Sequence, residues 1–501
     1  MSAPHFNVVV IGAGLSGIGA GYRLQTRCPE KSYVIFEGRE ATGGTWDLFR
    51  YPGVRSDSDM FTLGYPFRPW REAKAIADGP SILQYLRDTA REFGIDRHIR
   101  FKHRVVAAEW SSEENRWTLE VQTQDGIENY TCDFLYGCTG YYRYDAGYQP
   151  SFSGIENYQG TFLHPQNWPE HLDYAGKRVV VIGSGATAVT LVPAMSERAA
   201  HDTMLQRSPS YILSLPAHDP LVGPLRRVLP DGAAHRLLRW KNILISLGVF
   251  ELSRLAPELT KRVLRKQAQT YLPGNYDVDT HLKPRYQPWD QRLCLVPDAD
   301  LYEAISAGRA SVVTGAIETL TENGVRLTSG EELKADIIVS ATGLQMLALG
   351  AVKLSLNGAP VDPADSFIYK GVMLSNVPNF AFCVGYTNAS WTLRADLAST
   401  FVCRLLNYMK RHGFNTCVPS CNTGALDRKP LLDLTSGYVQ RAAASLPKQS
   451  SKKPWFIRQN YIRDMLTMKV GRVNDGVLRF GVGGRKPRPS SAKPEFAQRA
   501  S

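Results

Sequence analysis

Two glycine-rich turns carry the residues whose types and spacing point most directly to chemistry. In the first, Gly12, Gly14 and Gly17 follow a β-type apolar run over residues 6–11 and open a helical stretch. The first glycine of such a turn permits a tight bend, the second lets the backbone approach a pyrophosphate, and the third lets the helix pack on the strand. The amino end of the helix then faces the phosphate charge. The pattern predicts a dinucleotide site.

An acidic residue after the next strand-like run indicates which dinucleotide the first turn binds. Glu37 lies twenty residues after Gly17 and directly follows the apolar run 33–36. A carboxylate at this position accepts hydrogen bonds from a ribose diol and repels a 2′-phosphate. FAD or NAD therefore fits this turn, NADP does not, and we assign FAD. A glycine-rich βα turn without a ligand is the alternative.

The second turn has a cation where the first has an acid. Gly183, Gly185 and Ala188 follow another β-type run, and Arg207 stands nineteen residues after Ala188. A guanidinium there would pair with a 2′-phosphate, and the Ser208 hydroxyl would donate a hydrogen bond to the same group. NADPH is the coenzyme that we predict, and a surface charge at the end of a strand is the alternative for Arg207.

Two dinucleotide sites in one chain predict that a hydride passes from the nicotinamide coenzyme to the flavin. One acceptor for the flavin's electrons is a disulfide, which requires a cysteine pair shortly after the first unit. Residues 38–60 contain no cysteine. The sequence therefore argues against a disulfide reductase.

A linker motif, Tyr158-x-Gly160-x-x-x-His164-x-x-x-Trp168-Pro169, is accompanied by three longer segments at residues 43–53, 289–297 and 385–392. Together they resemble Baeyer–Villiger monooxygenases, most closely the ethionamide-activating members of that family. The resemblance extends over about residues 6–479. Tyr158 replaces the phenylalanine with which the family's linker motif begins, and the Trp168-Pro169 ending favours this family over the N- and S-oxygenating flavin monooxygenases. A solvated histidine and an aromatic anchor at a domain interface are the alternatives for His164 and Trp168, beside the role in domain motion that the family implies.

The resemblance implies an activity and a catalytic pair. A Baeyer–Villiger monooxygenase inserts one oxygen atom of dioxygen into a ketone to give an ester or lactone, and the ethionamide-activating members add sulfides and thioamides as substrates. Catalysis is expected at Arg292, which would stabilise developing negative charge, with Asp57 orienting the guanidinium. A loop or helix-capping aspartate is the alternative for Asp57. Two other functions stay open, a flavin-containing S- or N-oxygenase and a non-oxygenating NADPH-dependent flavin reductase.

The coenzyme contacts are predicted partly from the turns and partly from the resemblance. Gln291 departs from the family, because many members carry at this position a lysine that helps to hold the 2′-phosphate. Arg207 must then provide more of the binding to this phosphate, and we expect weak coenzyme affinity. The predicted cofactor-binding residues are Gly12, Gly14, Ser16, Gly17, Glu37, Gly44, Thr45, Trp46, Asp47, Asp57 and the backbone of Val105 on the FAD side, and Arg55, Ser56, Gly183, Ser184, Gly185, Ala186, Thr187, Ala188, Arg207 and Ser208 on the NADPH side.

The expected fold class is α/β, with two Rossmann-like dinucleotide-binding domains and a helical insertion in the second. The FAD-binding domain is expected over 1–145 and 346–480, and the NADPH-binding domain over 146–215 and 281–345. The helical insertion is expected over 216–280, and a flexible basic tail over 481–501. Two β-rich segments that close on Gly140 and Gly343 are expected to end in tight turns near the cofactors.

Charge and cysteine content limit the partners and the compartment. The net charge is +12, and residues 451–501 hold twelve Lys and Arg against three acidic residues. No nucleic-acid motif accompanies this tail, so we expect it to be solvated. We favour the helical insertion as a cap over the cavity with a solvated basic side, and peripheral membrane contact is the alternative. Eight scattered cysteines without a preceding signal peptide favour the cytoplasm. Cys417 and Cys421 are the one close pair, and without a second pair at ligand spacing we do not expect a metal site.

Overall fold

The computed structural model describes residues 3–482, so the tail expected over 481–501 lies outside the described residues except for its first two positions. The strands are β1 (His5–Ile11), β2 (Tyr33–Phe36), β3 (Ile99–Arg100), β4 (Arg104–Ser111), β5 (Arg116–Thr123), β6 (Gly126–Gly137), β7 (Thr161–Leu163), β8 (Arg178–Ile182), β9 (His201–Gln206), β10 (Ile212–Leu215), β11 (Cys294–Pro297), β12 (Ala310–Thr314), β13 (Ile317–Thr321), β14 (Gly324–Leu327), β15 (Glu332–Lys334), β16 (Ile337–Ser340), β17 (Lys353–Leu356), β18 (Ala359–Val361), β19 (Ile368–Tyr369), β20 (Met373–Leu374), β21 (Phe380–Phe382), β22 (Thr416–Pro419), β23 (Lys429–Pro430), β24 (Lys448–Gln449) and β25 (Leu478–Gly481). The helices are α1 (Leu15–Arg27), α2 (Thr45–Leu48), α3 (Met60–Leu63), α4 (Gly79–Glu92), α5 (Ala186–Met195), α6 (Val222–Val228), α7 (Asp231–Leu255), α8 (Pro257–Tyr271), α9 (Val278–His281), α10 (Asp300–Ser306), α11 (Trp391–His412), α12 (Gly437–Ala442) and α13 (Tyr461–Met465), which continues as a π-helical turn over Leu466–Val470.

The first sheet has a parallel centre formed by β3, β2, β1, β6 and β21. The long strand β6 also pairs antiparallel with β5, and β5 pairs with β4, which brings β17 and β18 onto the same sheet. The middle of β1 is a continuous apolar run, Val8, Val9 and Val10, and all three side chains are fully buried. Such a run is expected of a strand in a parallel sheet that is covered on both faces.

The second sheet is parallel throughout, in the order β12, β9, β8, β16, β7. A three-stranded antiparallel sheet of β13, β14 and β15 accompanies it. In both parallel sheets a glycine turn follows a strand that has neighbours on either side, β1 in the first and β8 in the second. Ligands of open α/β sheets bind at this kind of topological switch point.

The predicted fold class, α/β with two Rossmann-like units, is confirmed. The first sheet takes its strands from residues 5–137 and 353–382, and the second takes its strands from residues 161–206 and 310–340. The residue boundaries given above for the domains stay a proposal.

Helices α6 to α9 fill the segment between the two halves of the second sheet, and the long helix α7 packs on α3 beside the first sheet. The Arg239 side chain on α7 is buried and donates from Nη1 to the carbonyl oxygens of Phe61 and Gly64 at 2.7 and 2.8 Å. Asn242 Nδ2 donates to Asp59 Oδ1 at 2.9 Å, one helical turn further on. Within residues 3–482 we find no helix that is both long enough and apolar enough to cross a bilayer.

Substitution of Gly17 is expected to destabilise the first unit. A Cβ at this position would lie 1.8 Å from the carbonyl oxygen of Gly12, so α1 would have to move away from β1. Overpacking of this kind costs about 1–3 kcal/mol or more. We expect Gly17→Ala to lower the apparent Tm in thermal denaturation. Gly232→Ala is the matched control, because a Cβ there meets nothing within 4 Å; equal Tm values for the two variants would contradict the prediction.

Candidate functional site

One cavity of about 1150 Å³ connects the two glycine turns. Pockets for drug-sized ligands usually enclose about 300–1,000 Å³, so this cavity exceeds what one such ligand needs. Its lining includes every predicted site residue except Gly17, Asp47 and Ala188. The structure therefore brings residues from both sheets, which the sequence could only assign separately, to one space.

Backbone turns approach each other at the FAD-side end of the cavity. Gly12 has φ +102°, and a Cβ there would lie 2.7 Å from the carbonyl oxygen of Cys138 at the end of β6. A Cβ on Gly44 would lie 3.0 Å from the Cα of Gly14, so the first glycine turn contacts the separate turn at Gly43–Gly44 through backbone atoms. Side chains at Gly12 and Gly44 would collide with neighbouring backbone atoms, so this close approach requires glycine.

Glu37 lies at the end of β2 with most of its side chain buried, 7% exposed. Its Oε2 accepts a hydrogen bond from the backbone nitrogen of Ala13 at 2.8 Å, and its Oε1 accepts one from Arg39 at 2.9 Å. A carboxylate has about four acceptor positions, so two remain for a ribose diol. The same contacts hold the carboxylate rigidly against the glycine turn.

Asp47 does not line the cavity but organises its wall. Its carboxylate is buried and forms ion pairs with Arg39 and Arg87, each at 2.8 Å. Arg39 also donates to the carbonyl oxygen of Gly44 at 3.2 Å. The carboxylate thus fixes the turn that precedes α2, on which Thr45 and Trp46 face the cavity.

Ser16 and Val105 both line the FAD-side space. Ser16 Oγ accepts a hydrogen bond from the indole nitrogen of Trp391 at 2.8 Å, which ties the start of α1 to the start of α11. Gly385 permits this, because a Cβ there would lie 2.3 Å from the Trp391 ring. Val105 is buried on β4, where the pairing with β5 shifts register before Ala107, so its backbone departs from the regular ladder.

The second glycine turn presents its backbone openly. Gly183 has φ +142°, and a Cβ there would lie 2.4 Å from the carbonyl oxygen of Ala341, whereas a Cβ on Gly185 would meet nothing within 4 Å. Ser184 Oγ donates to the carbonyl oxygen of Ser208 at 3.0 Å and so ties this turn to the end of β9. Ala186 and Thr187 begin α5 and line the cavity, while Ala188 is buried against the sheet.

Arg207 follows β9 at the edge of this turn and is exposed to solvent. Among residues 3–482 no carboxylate lies within ion-pair distance of its guanidinium. Ser208, also exposed, stands beside it. A cation without a protein counterion in a dinucleotide cavity is available to an anionic ligand.

Arg55, by contrast, is already paired. Its guanidinium donates to Asp300 at the start of α10, and its Nε is buried without a hydrogen-bond partner in the described part of the chain. Burial raises the pKa of Asp300, which Arg55 lowers in turn. Ser56 is buried, and its Oγ accepts a hydrogen bond from the nitrogen of Ser58 at 2.9 Å.

Arg292 and Asp57 form an ion pair inside the cavity. Arg292 Nε lies 2.8 Å from Asp57 Oδ2, and Nη2 donates to Oδ1 at 3.2 Å, so the contact is bidentate. Asp57 holds the pKa of Arg292 above its usual range. Asp59, two residues on, is the residue that caps α3, through a hydrogen bond from the nitrogen of Thr62 at 3.0 Å. The capping alternative for Asp57 is therefore wrong.

The segment before Arg292 is strained and tightly packed. Trp289 has φ +71°, a conformation that bulky side chains rarely adopt. Its ring packs edge-on against Phe250 of α7, with centroids 5.4 Å apart. The nitrogen of Thr435 donates to the carbonyl oxygen of Asp290 at 2.7 Å. Two separate parts of the chain thus hold the segment that carries the guanidinium.

Several cavity residues were not predicted from the sequence. Tyr141, Tyr142, Trp391, Tyr438 and Arg441 all line the cavity. Burial raises the pKa of Tyr142 and of Tyr438, so both hydroxyls stay protonated at neutral pH. The pair at 141–142 directly follows a predicted strand-end turn and could have been found from that position. The residues at 438 and 441 have no comparable sequence signal.

The linker histidine follows β7 and contacts the turn after β16, its neighbouring strand in the second sheet. The backbone nitrogen of Gln166 donates to His164 Nδ1 at 3.1 Å, which leaves Nε2 to donate to the carbonyl oxygen of Gly343, also at 3.1 Å. Burial lowers the pKa of His164. A Cβ on Gly147 would lie 2.0 Å from the imidazole. His164 is therefore half-buried with both ring nitrogens hydrogen-bonded, and Trp168 packs against the core of the second sheet.

Comparison with known proteins places this geometry in a family. A family model for flavin-binding monooxygenase-like proteins matches residues 65–371, and a model for NAD(P)-binding Rossmann-like domains matches residues 10–78. A protein named FAD-containing monooxygenase EthA, from Mycobacterium tuberculosis, is 52% identical over 486 residues, which cover 97% of this chain and 99% of the relative. One named probable FAD-binding monooxygenase AlmA, from Acinetobacter baylyi, is 47% identical over 479 residues, which cover 95% and 96%.

Solved structures share the fold at lower identity. The structure described as oxidized steroid monooxygenase bound to NADP has a TM-score of 0.75 and 22% identity, and the match covers 96% of this chain and 100% of that one. The open crystal structure of cyclohexanone monooxygenase also has a TM-score of 0.75, with 20% identity and the same coverage. The full-length relatives and the family model agree with the sequence-based prediction of a flavoprotein monooxygenase, and the chain belongs to the flavin-binding monooxygenase-like family.

Proposed function

We propose that this protein is a Baeyer–Villiger monooxygenase that holds FAD at the first glycine turn, consumes NADPH bound at the second, and inserts one oxygen atom of dioxygen into ketones. The observation that carries the proposal is the Arg292–Asp57 ion pair, which lies in the one cavity that both turns line. Family membership supports the flavin and the monooxygenase chemistry. Sulfides and thioamides are proposed as further substrates, and the cytoplasm as the compartment.

The first turn fits FAD by the chemistry of its donors and acceptors. The Gly12–Gly14 and Gly43–Gly44 turns line the cavity, and glycine at such positions lets the backbone approach a pyrophosphate. Glu37 keeps free acceptor positions for a ribose diol, and Ser16, Thr45 and Trp46 line the space towards Arg292. These residues would hold FAD with its pyrophosphate at the amino end of α1.

The second turn fits NADPH better than NADH. Arg207 is exposed, and it has no carboxylate partner among residues 3–482. Ser208 adds a hydroxyl donor next to it. Gln291 lines the cavity as a neutral side chain, so Arg207 is the cation that we propose for the 2′-phosphate. A single such contact supports selectivity with moderate affinity.

Bound FAD, once reduced by NADPH, supplies the activation of dioxygen. Arg292 contributes a permanent positive charge, since its neighbour Asp57 keeps the guanidinium protonated at any physiological pH. Nε and Nη2 both donate to Asp57, whereas Nη1 donates no hydrogen bond within the described residues. This free donor is available to a developing oxyanion, and Asp57 fixes its direction. Tyr141, Tyr142 and Trp391 form an aromatic wall that excludes water from the same space.

A substrate panel tests the proposed reaction. We expect NADPH-dependent conversion of ketones to esters or lactones, with product formed in proportion to NADPH consumed, and oxidation of sulfides or thioamides by the same preparation. The measurement is product identification by mass spectrometry together with NADPH consumption. Oxidation of sulfides or amines with no ketone product would favour an S- or N-oxygenase, and NADPH consumption without any oxygenated product would favour a flavin reductase.

Removal of the Arg292 guanidinium is expected to abolish oxygen insertion. Loss of one donor to a developing oxyanion lowers turnover by about 100-fold or more. Arg292→Ala should retain the flavin absorbance spectrum, form no ester, and release hydrogen peroxide from any NADPH that it still oxidises. Arg326→Ala, at an exposed arginine on β14, is the control and should behave as the parent protein. Ester yield at the parent level from Arg292→Ala would refute the assignment.

Arg207 is expected to select NADPH over NADH. A hydrogen bond to a charged group contributes about 1.5–3 kcal/mol, which corresponds to at least about tenfold in affinity. Arg207→Ala should raise KM for NADPH and leave KM for NADH nearly unchanged. The control is Arg309→Ala, an exposed arginine directly before β12, which pairs with β9, so that it lies at the opposite end of the parallel strands from Arg207. An unchanged ratio of kcat/KM for the two coenzymes would overturn the role of Arg207.

A further inference from the structure

Helix α7 is apolar on both of its faces. Its inner face buries Leu238, Ile243 and Leu247. Its outer face exposes seven large apolar side chains, and Leu255 is 82% exposed. The exposed residues are Leu237, Trp240, Leu244, Ile245, Val249, Leu252 and Leu255. A cap with a solvated outer side, which the sequence favoured, would present polar residues here.

The neighbouring helices continue this surface. Val228 at the end of α6 is 78% exposed, and Leu259 and Val263 on α8 are exposed as well. Both helices pack against α7. Scattered single apolar residues on a surface are ordinary, whereas a contiguous set marks an interaction site. We call these ten residues of α6, α7 and α8 the outer apolar face.

Basic residues accompany the outer apolar face. Residues 222–271 contain ten Lys and Arg against three acidic residues. Arg227, Arg236, Arg262 and Lys266 are exposed, and none of the four has a carboxylate within ion-pair distance in residues 3–482. Helices that combine exposed large apolar side chains with unpaired cations are typical of proteins that lie in the interface of an anionic bilayer.

We propose that the outer apolar face docks on the surface of a lipid bilayer that contains anionic headgroups. The apolar side chains would enter the boundary between headgroups and acyl chains, and the four unpaired cations would contact the headgroups. The charge argues against a second copy of this chain as the occupant. A twofold interface would bring the same cations of two subunits together, and like charges brought together oppose association.

The docked helix is connected to the catalytic segment. Phe250 on α7 packs against Trp289, and Arg254 lies 3.3 Å from Asp290, three and two residues before Arg292. Docking would therefore bring a cavity with an aromatic wall close to the acyl-chain region of the bilayer, in which apolar molecules dissolve. Supply of apolar substrates from the bilayer rests on the proposed function, whereas docking itself does not.

Vesicle flotation of the purified, flavin-loaded protein tests the docking. We expect the protein to float with vesicles of phosphatidylcholine and phosphatidylglycerol, and to bind phosphatidylcholine alone at least about tenfold more weakly, since basic residues near the surface are attracted to anionic headgroups. High salt should weaken the binding. Equal flotation with both kinds of vesicle would overturn the requirement for anionic lipid, and no flotation with either would overturn the proposal.

A triple substitution separates the outer apolar face from apolar surface in general. Leu244→Ser, Leu252→Ser and Leu255→Ser together should abolish flotation while flavin absorbance and NADPH oxidation in solution stay at the parent level, because these side chains are already exposed. Ile127→Ser, at a 59% exposed isoleucine on β6, is the control and should float normally. Normal flotation of the triple variant would contradict the proposal, whatever the outcome of the substrate panel.

A second set of variants tests the cations and the competing occupant. Changing Arg227, Arg236, Arg262 and Lys266 to Gln should weaken binding to anionic vesicles by about tenfold or more. The matched control changes four exposed cations elsewhere to Gln, namely Lys177, Lys334, Lys353 and Arg411. If both sets of variants lost vesicle binding equally, net charge alone would explain the loss, and the assignment of the docking surface to the outer apolar face would be wrong. Sedimentation equilibrium measures the competing occupant. If the parent protein does not float but forms a dimer that the triple serine variant does not form, the outer apolar face binds a second copy of the chain and not a bilayer.

Discussion

The ion pair between Arg292 and Asp57 joins residues 235 positions apart in the chain. Asp57 comes from the segment after the first βαβ unit, and Arg292 comes from the segment before β11. The pair can form only when both units have folded and met, because neither unit contains both charges. A half-buried guanidinium also needs its carboxylate, since an unpaired charge at such a position would be costly. The direction of the free Nη1 in the cavity depends on this one contact.

Close approach of backbones is the second constraint. At the first turn, the Gly12 and Gly14 backbone meets the end of β6 and the turn at Gly44 at distances that exclude any side chain. At the second turn, Gly183 meets Ala341 in the same way, but Gly185 remains open. The two sites share one architecture and differ in charge, with Glu37 at the first and Arg207 at the second. This difference gives the cavity two chemically distinct ends.

Local features of the sequence predicted much of the fold. The runs at 33–36 and 178–182 coincide with β2 and β8, because a continuous apolar β-rich run between turn signals has few other interpretations. Pro230 and Pro257 stand at the amino-terminal ends of α7 and α8, where the missing backbone donor of proline is not needed. The sequence could not distinguish the cap Asp59 from the ion-paired Asp57, since both lie in one short acidic segment and only tertiary contacts separate them. Tyr438 and Arg441 were missed for a related reason, because more than 140 residues separate them from Arg292. The outward side of α7 could not be identified because both of its sides are apolar.

The buried guanidinium of Arg239 has a consequence for how the chain is made. Helix α3 has only four residues, and the carbonyl oxygens at its end find their donor in a side chain that follows Phe61 by 178 residues. While the chain emerges during synthesis, these carbonyl groups can be satisfied only by water, because their intramolecular donor does not yet exist. The end of α3 therefore reaches its final packing only after β7, β8 and β9 of the second sheet and the start of α7 have been translated.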